Sequence, residues 1–417
     1  MRIENLRTDQ FSDRRRVVVD VSWEDCGRTT QEVYFETIAP FAEDLAPSVD
    51  AFLLASMPIA TWLGERRILV QGSVCPRLRD GLQAVAAVFA SWHDRCRPVE
   101  IEPTAGVRPP VPRASRRVAS FLSGGIDALA LLRANRLEYP PEHPASIRDC
   151  LLLFGLNSFD FGDATPRPER LAAFETHVQR MRQLGRLADF TLVPVYTNAR
   201  TLYPDFASWS TIGFGAATTA VALALARRVS EAWLGSDGLG LASPPLGSHA
   251  LLLHHFSTAA VEIHLGHVNT TRLEKTRLVA DWEGALPFLR SCLYLEVPPD
   301  GLVNCGRCEK CVRTRLALVA LGKLDRATSF PLGELTPGML AVVELTPRNA
   351  PFYQECLEPL ERLGRHDLVA PLRALLTTYH RLERWKREFV RLNRFDERFL
   401  KGRLARWYSS RSTPRLE

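Results

Sequence analysis

The chain has 417 residues, of which 46% are hydrophobic and 24% charged, too long for one ordinary domain and apolar enough to build more than one core. Nine cysteines, an odd count, argue against a disulfide framework, and the segment from Met1 to Leu6 lacks the apolar run of a secretion leader. The most apolar helical stretch, Ala216 to Ala226, falls short of the ~20 residues that cross a bilayer, so a soluble, cytoplasmic protein without membrane contact is expected.

In chain order, Val17–Val21 and Glu32–Phe35 read as strands, Ile68–Val70 as a third, Leu78–Trp92 as an amphipathic helix and Val99–Ile101 as a closing strand. This predicts a small α+β domain over 1–108. The Pro-rich, basic run Pro109-Pro110-Val111-Pro112-Arg113 predicts a stiff linker over 109–116. From 117 the texture becomes strand–helix alternation. Strands are expected at Val118–Leu122, Cys150–Leu156, Phe190–Tyr196, Glu231–Leu234 and Val261–Leu265. Helices are expected at Asp127–Asn135, Glu169–Leu184, Thr211–Arg228 and Thr271–Ala280. Such alternation implies an α/β fold, an open, doubly wound, mostly parallel sheet over 117–325. Beyond it, 326–417 reads as a helical extension. From Arg381 onward it carries twelve Lys or Arg against five Asp or Glu; a solvated helical face explains this, and contact with nucleic acid or an acidic protein surface is the alternative.

The first strand of the block runs into Ser123-Gly124-Gly125-Ile126-Asp127 and then a helix. Backbone N–H groups at a helix N-terminus bind anionic phosphate, and paired glycines let the backbone approach closely. Ser123 adds a hydroxyl donor, and Asp127 is placed to cap the loop or to help hold a metal ion. The Gly-Lys-Ser/Thr ending of a Walker loop is absent. Further on, Cys305, Cys308 and Cys311 stand at Cys-x2-Cys-x2-Cys spacing, with Cys292 thirteen positions earlier as the natural fourth ligand. Four thiolates suit tetrahedral zinc in a closed, structural site, an iron–sulfur cluster being the competitor. Lys275 and Arg272 share a helix face that can neutralise phosphate charge, unless they only pair with Glu274. Asp237, at the end of the fourth strand, suits magnesium or substrate, or else a turn cap. The histidines His249, His254, His255, His264 and His267 follow no zinc spacing.

The loop resembles the Ser-Gly-Gly-x-Asp-Ser signature of PP-loop N-type ATP pyrophosphatases, with Ala128 in place of the final serine. Together with the cysteine knot it resembles the 7-cyano-7-deazaguanine synthase (QueC-like) family over roughly residues 117–322. The resemblance implies an adenine nucleotide alpha hydrolase-like fold and ATP, magnesium and structural zinc as cofactors. It implies an adenylating ligase that releases pyrophosphate from a loop formed by Ser123, Gly124, Gly125, Ile126 and Asp127, and that joins an acceptor carboxylate to ammonia or an amine. Adenine would lie against Phe154-Gly155-Leu156, and Pro245–His249 and Arg272–Thr276 would flank the site. The acceptor, a small molecule or a macromolecule, and a homodimeric state have no motif of their own. Three rivals stay open: a sulfur transferase acting on tRNA or a small molecule, for which Cys150 would be the thiol; a nucleotide-binding protein without activity; and an enzyme of a defence or biosynthetic cassette whose acceptor is a macromolecule or peptide.

Overall fold

The computed structural model describes residues 1–109, 116–157, 159–162, 165–292 and 302–395. They fall into two compact units, Met1–Gly333 and Glu334–Glu417. Most of the Pro-rich linker (110–115) and the end of the basic tail (396–417) lie outside the described residues.

The first unit opens with an antiparallel meander of β1 (Arg2–Phe11), β2 (Arg14–Ser22) and β3 (Gln31–Ile38). On one face Val17, Val19, Val21, Val33 and Phe35 enter a core. On the other, Arg14 and Arg16 bracket buried Glu36 at 2.9 and 2.6 Å, beside Val18 and Tyr34 of a second core. Next come α1 (Val49–Leu63), capped by Ser48 and ended by Gly64 in the left-handed region, β4 (Arg67–Val70), α2 (Pro76–Trp92) and β5 (Glu100–Pro103).

Strand–helix alternation follows as expected. It comprises β6 (Val118–Phe121), α3 (Ile126–Glu138), β7 (Ile147–Phe154), a two-residue pair β8 (Phe161–Gly162) and β9 (Thr165–Pro166), α4 (Pro168–Ala188) and β10 (Thr191–Thr197). The chain continues through α5 (Phe206–Ser208), a π-helical turn and α6 (Phe214–Ala224) to β11 (Glu231–Gly235), β12 (Glu262–Gly266), α7 (Arg272–Ala280) and α8 (Glu309–Ala320).

All the longer strands join one ten-stranded sheet in the order β12-β11-β6-β7-β10-β3-β2-β1-β4-β5. The strands from β12 to β10 are parallel, β3 pairs antiparallel with β10, and β1, β4 and β5 are again parallel. The fold is thus mixed α/β around a large, mostly parallel sheet. The N-terminal strands, read from the sequence as a domain of their own, extend this sheet edge to edge. Side chains of β10 sort by period two: Val193 and Val195 face the core holding α1, α2 and α6, while Leu192 and Tyr196 face α3, α4 and α7.

The helix around α6 is longer than its sequence suggests. Phe206–Ala224 spans 19 residues at mean hydropathy 1.2 and passes, by length and composition, as long enough to cross a membrane, so the expected shortness of this stretch does not hold. The π-helical turn Trp209–Gly213 adds the extra length, and 72% of its most apolar window is buried within the fold, against α1.

The second unit is helical. Within it α12 (His366–Phe395) packs on α9 (Pro337–Ala341), α10 (Ala350–Gln354) and α11 (Leu357–Arg362), with Leu368, Leu372 and Leu376 at helical spacing inside.

At the amino edge of the parallel strands, fully buried Asp149 of β7 accepts hydrogen bonds from Arg117, which precedes β6, and at 2.8 and 3.1 Å from Arg228, which precedes β11. Removing the shared carboxylate strands two guanidinium groups, so Asp149→Ala should cost about 3–5 kcal/mol in urea unfolding.

Candidate functional site

The parallel strands run β6, β7, β10 in one direction, and then the chain returns to place β11 on the other side of β6. Where connections diverge in this way a crevice opens beyond the carboxyl ends of the two strands, and ligands of open α/β sheets bind there. The segment Ser123–Asp127 leaves β6 at this point, and Ser236–Gly238 leaves β11 beside it.

Gly124 takes φ +80°, and a Cβ there would lie 3.3 Å from His177 Cε1. A side chain at this position would be strained and crowded. Gly125 stands at the N-cap of α3 and has no side chain to satisfy the first-turn amides. Those amides remain for a ligand or water, at the positive end of the helix dipole. Ser123 Oγ accepts the Gly125 N–H at 3.3 Å. A Cβ at Gly235 would sit 2.7 Å from Asp127 O, so this glycine lets α3 pack directly on the end of β11. Ile126 is buried and offers the site only its backbone.

Asp127 is ion-paired with Arg272 and lies 3.7 Å from Lys275 Nζ. Both cations stand in the first turn of α7, which opens with a capping box between Thr271 and Glu274. Glu274 is therefore the helix cap, and Arg272 reaches Asp127 instead. Lys275 is wholly buried and donates to Ser236 O at 2.8 Å and Ser236 Oγ at 3.0 Å. Burial pulls its pKa down, and the Asp127 charge opposes that shift. The result is a fixed cationic corner facing the loop.

Other expected residues have different surroundings. Asp237 accepts from Leu239 N–H at 3.1 Å and Ser243 Oγ at 3.2 Å, so it caps its own turn. Phe154 packs among Phe161, Phe174 and Tyr196, and the Gly155 N–H is spent on Asp160 at 3.0 Å. Leu156 is half-buried after them. Ala128 is buried in the first turn of α3. Cys150 is fully buried beside Ser120, and burial pushes its thiol up to about 12. His249 packs edge-on against Trp92, and His264 stacks on Trp233.

Four sulfurs gather as the spacing predicts. Cys292, Cys305, Cys308 and Cys311 place Sγ atoms within 4.8 Å of one another, with Cys292–Cys308 at 4.0 Å and Cys305–Cys311 at 3.9 Å. A tetrahedron of ~2.3 Å metal–sulfur bonds has edges of ~3.8 Å, so the group could hold a metal ion. Hydrogen bonds to Cys292 and Cys308 drive the Cys311 thiol upward, a crowding that a cation would relieve. Arg315 braces the turn through Gly306 O at 3.2 Å and Gly333 O at 2.7 Å.

Sequence reasoning missed three residues here. Buried Asn304 accepts from Ser291 N–H at 2.7 Å and Cys292 N–H at 3.1 Å, and donates to Leu289 O at 2.8 Å and Ser329 O at 3.0 Å. The Arg290 N–H donates to Gly124 O at 2.8 Å. His177 of α4 holds Ser123 O at 3.1 Å through Nε2. All three act over long sequence distances, and no local pattern marks them.

No family model, curated protein or solved structure matches this chain.

Burial, with Arg290 and Arg180 nearby, lowers His177 to about 3. The unfolded chain then takes up this proton more readily than the folded one. The associated stability is whole above ~6.5 and drains as pH falls, at about 1.4 kcal/mol per pH unit. Urea unfolding at pH 7.5, 6.0 and 5.0 should show that loss in the wild type and a correspondingly shallower one in His177→Gln.

Proposed function

We propose that this chain is an ATP-dependent adenylating enzyme that releases pyrophosphate, of the kind its loop and cysteine knot resemble. The observation that carries the reading is the loop Ser123–Asp127 at the divergence of β6 and β11, faced by Arg272 and buried Lys275. Free first-turn amides and two fixed cations suit a polyphosphate whose leaving group gains negative charge.

In this mechanism an acceptor oxygen, by preference a carboxylate, attacks the α phosphorus in line. The bond to the bridging oxygen of the β phosphate breaks, and pyrophosphate leaves on the loop amides and Ser123. Asp127 orients Arg272 and Lys275 toward that charge. Positioning and electrostatics supply the catalysis, as in phosphoryl transfer generally. Ammonia or an amine then displaces AMP from the activated acyl group, giving an amide as the route to a nitrile or a ligated product.

The carboxylates named for magnesium do not fit it. Asp127 is already matched by two cations and Asp237 by its own turn, so no step is routed through a protein-held magnesium. The four cysteines do fit zinc. Cys292, Cys305, Cys308 and Cys311 would hold it with no open position, which makes it a cross-link between the segment before residue 293 and α8.

Burial of Cys150 counts against sulfur transfer to tRNA or a small molecule, because a buried, protonated thiol is a poor nucleophile. Ala128 favours one second reading, a nucleotide-binding protein without turnover, since a hydroxyl is missing from the loop. A cytoplasmic location goes with the main reading.

Incubation with ATP and a panel of carboxylates, with ammonia, should release pyrophosphate and AMP. Asp127→Ala should slow release roughly a hundredfold or more; undiminished release would remove Asp127 from the mechanism. Binding of ATP with no turnover on any acceptor would favour the second reading. Native mass spectrometry should find one zinc per chain, and Cys308→Ser should abolish it.

A further inference from the structure

The segment Leu289–Cys292 runs between the cysteine centre and the phosphate loop and is fixed on both sides. On one side Asn304, itself fully buried and adjacent to Cys305, bonds the backbone of Leu289, Ser291 and Cys292. On the other, the Arg290 N–H holds Gly124 O at 2.8 Å. The Arg290 Cβ lies 3.5 Å, and its carbonyl oxygen 3.6 Å, from where a Cβ would stand on Gly124 and Gly125 respectively. Cys292, a member of the sulfur group, ends this segment two residues after Arg290.

The Arg290 side chain is half-buried and makes no hydrogen bond with the described residues, Asp160 being a neighbouring charge. Arginines so placed are ordinarily paired. The ring of His177 touches the loop itself, with Cε1 against Gly124 and Nε2 on Ser123 O. A guanidinium without a hydrogen-bond acceptor beside a glycine loop suits an anionic ligand, which would supply the acceptors it lacks.

We propose that Arg290 is a phosphate-binding side chain of the nucleotide site and that the four-cysteine centre holds it in position. The proposal rests on the nucleotide reading above and adds to it a residue and a dependence. A metal ion on the cysteines pins Cys292, Cys292 and Asn304 pin the segment, and the segment sets both the Arg290 side chain and the Gly124 carbonyl. Loss of the metal frees one end of this segment, and phosphate affinity falls without any change in the loop sequence.

The test uses the full chain, zinc-loaded or stripped with a chelator and a thiol-capturing mercurial, with inorganic pyrophosphate and ATP as calorimetric probes. The loaded wild type should bind both. Arg290→Gln should bind roughly tenfold to a hundredfold more weakly, the loss expected for charge-assisted hydrogen bonds, and Arg290→Lys should recover part of it. Stripping should weaken the wild type by a similar factor and add little in Arg290→Gln, while far-UV circular dichroism stays native. A second measurement needs no variant: an arginine-selective dicarbonyl should modify Arg290, with pyrophosphate protecting it in peptide mapping. Equal binding by wild type and Arg290→Gln, or modification of Arg290 unaffected by saturating pyrophosphate, would overturn the proposal and leave the nucleotide reading standing. A loaded, folded wild type that binds neither probe would overturn both.

Discussion

Adjacent parallel strands whose connections leave in opposite directions cannot be roofed by either connection, and the gap above β6 and β11 follows from that topology. Ser123–Asp127, Ser236–Gly238 and the first turn of α7 are gathered around this gap. Gly235 lets the amino end of α3 settle on β11. The capping box of α7 then directs Arg272 and Lys275 across to Asp127. A different strand order would leave the same residues apart, because they come from segments almost 150 positions distant in the chain.

Charge in the corner is balanced in a particular way. One carboxylate faces two cations, and the lysine is held by a backbone carbonyl and a hydroxyl. A buried cation in such a setting keeps its position whether or not a ligand is present, which is what preorganisation requires. The orphan first-turn amides of α3 add donors that cost no reorganisation when an anion arrives. Across the sheet, at its amino edge, the opposite arrangement holds: one buried Asp149 gathers two arginines and ties three segments together. One edge is cross-linked, and the other carries the glycine loop and its two cations.

Much of this was legible in the sequence where the signal is local. Ser123–Asp127 stands out because paired glycines between an apolar strand and a helix mark a tight backbone turn, and Cys305, Cys308 and Cys311 because their spacing is a ligand spacing. The parallel strands were legible as apolar runs. β1 was not, since only Ile3 of its first residues is buried and the rest alternate with charge. α1 was not, since it is apolar nearly all round and has no amphipathic period to read. That the N-terminal strands belong to the same sheet was invisible, because strand pairing at long separation leaves no trace in either segment. Asp127 with Arg272, Arg290 with Gly124 and Asn304 with Leu289 share that property. For Glu274 a local signal existed: Thr271-x-x-Glu274 is a capping box, and it already assigned that carboxylate to the helix start rather than to Arg272.

The join between β3 and β10 has a further consequence for how the chain is made. Thr37 Oγ1 donates to Pro194 O across a separation of 157 residues, and Thr37 stands opposite Val195 in the ladder. On the ribosome the meander of β1 to β3 is therefore finished while its inner border has nothing to pair with, and it stays that way until β10 is synthesised. A nascent polypeptide of this protein passes through a stage in which a ready-made strand edge must be shielded, by its own charged neighbours or by a chaperone, from any other strand that comes near.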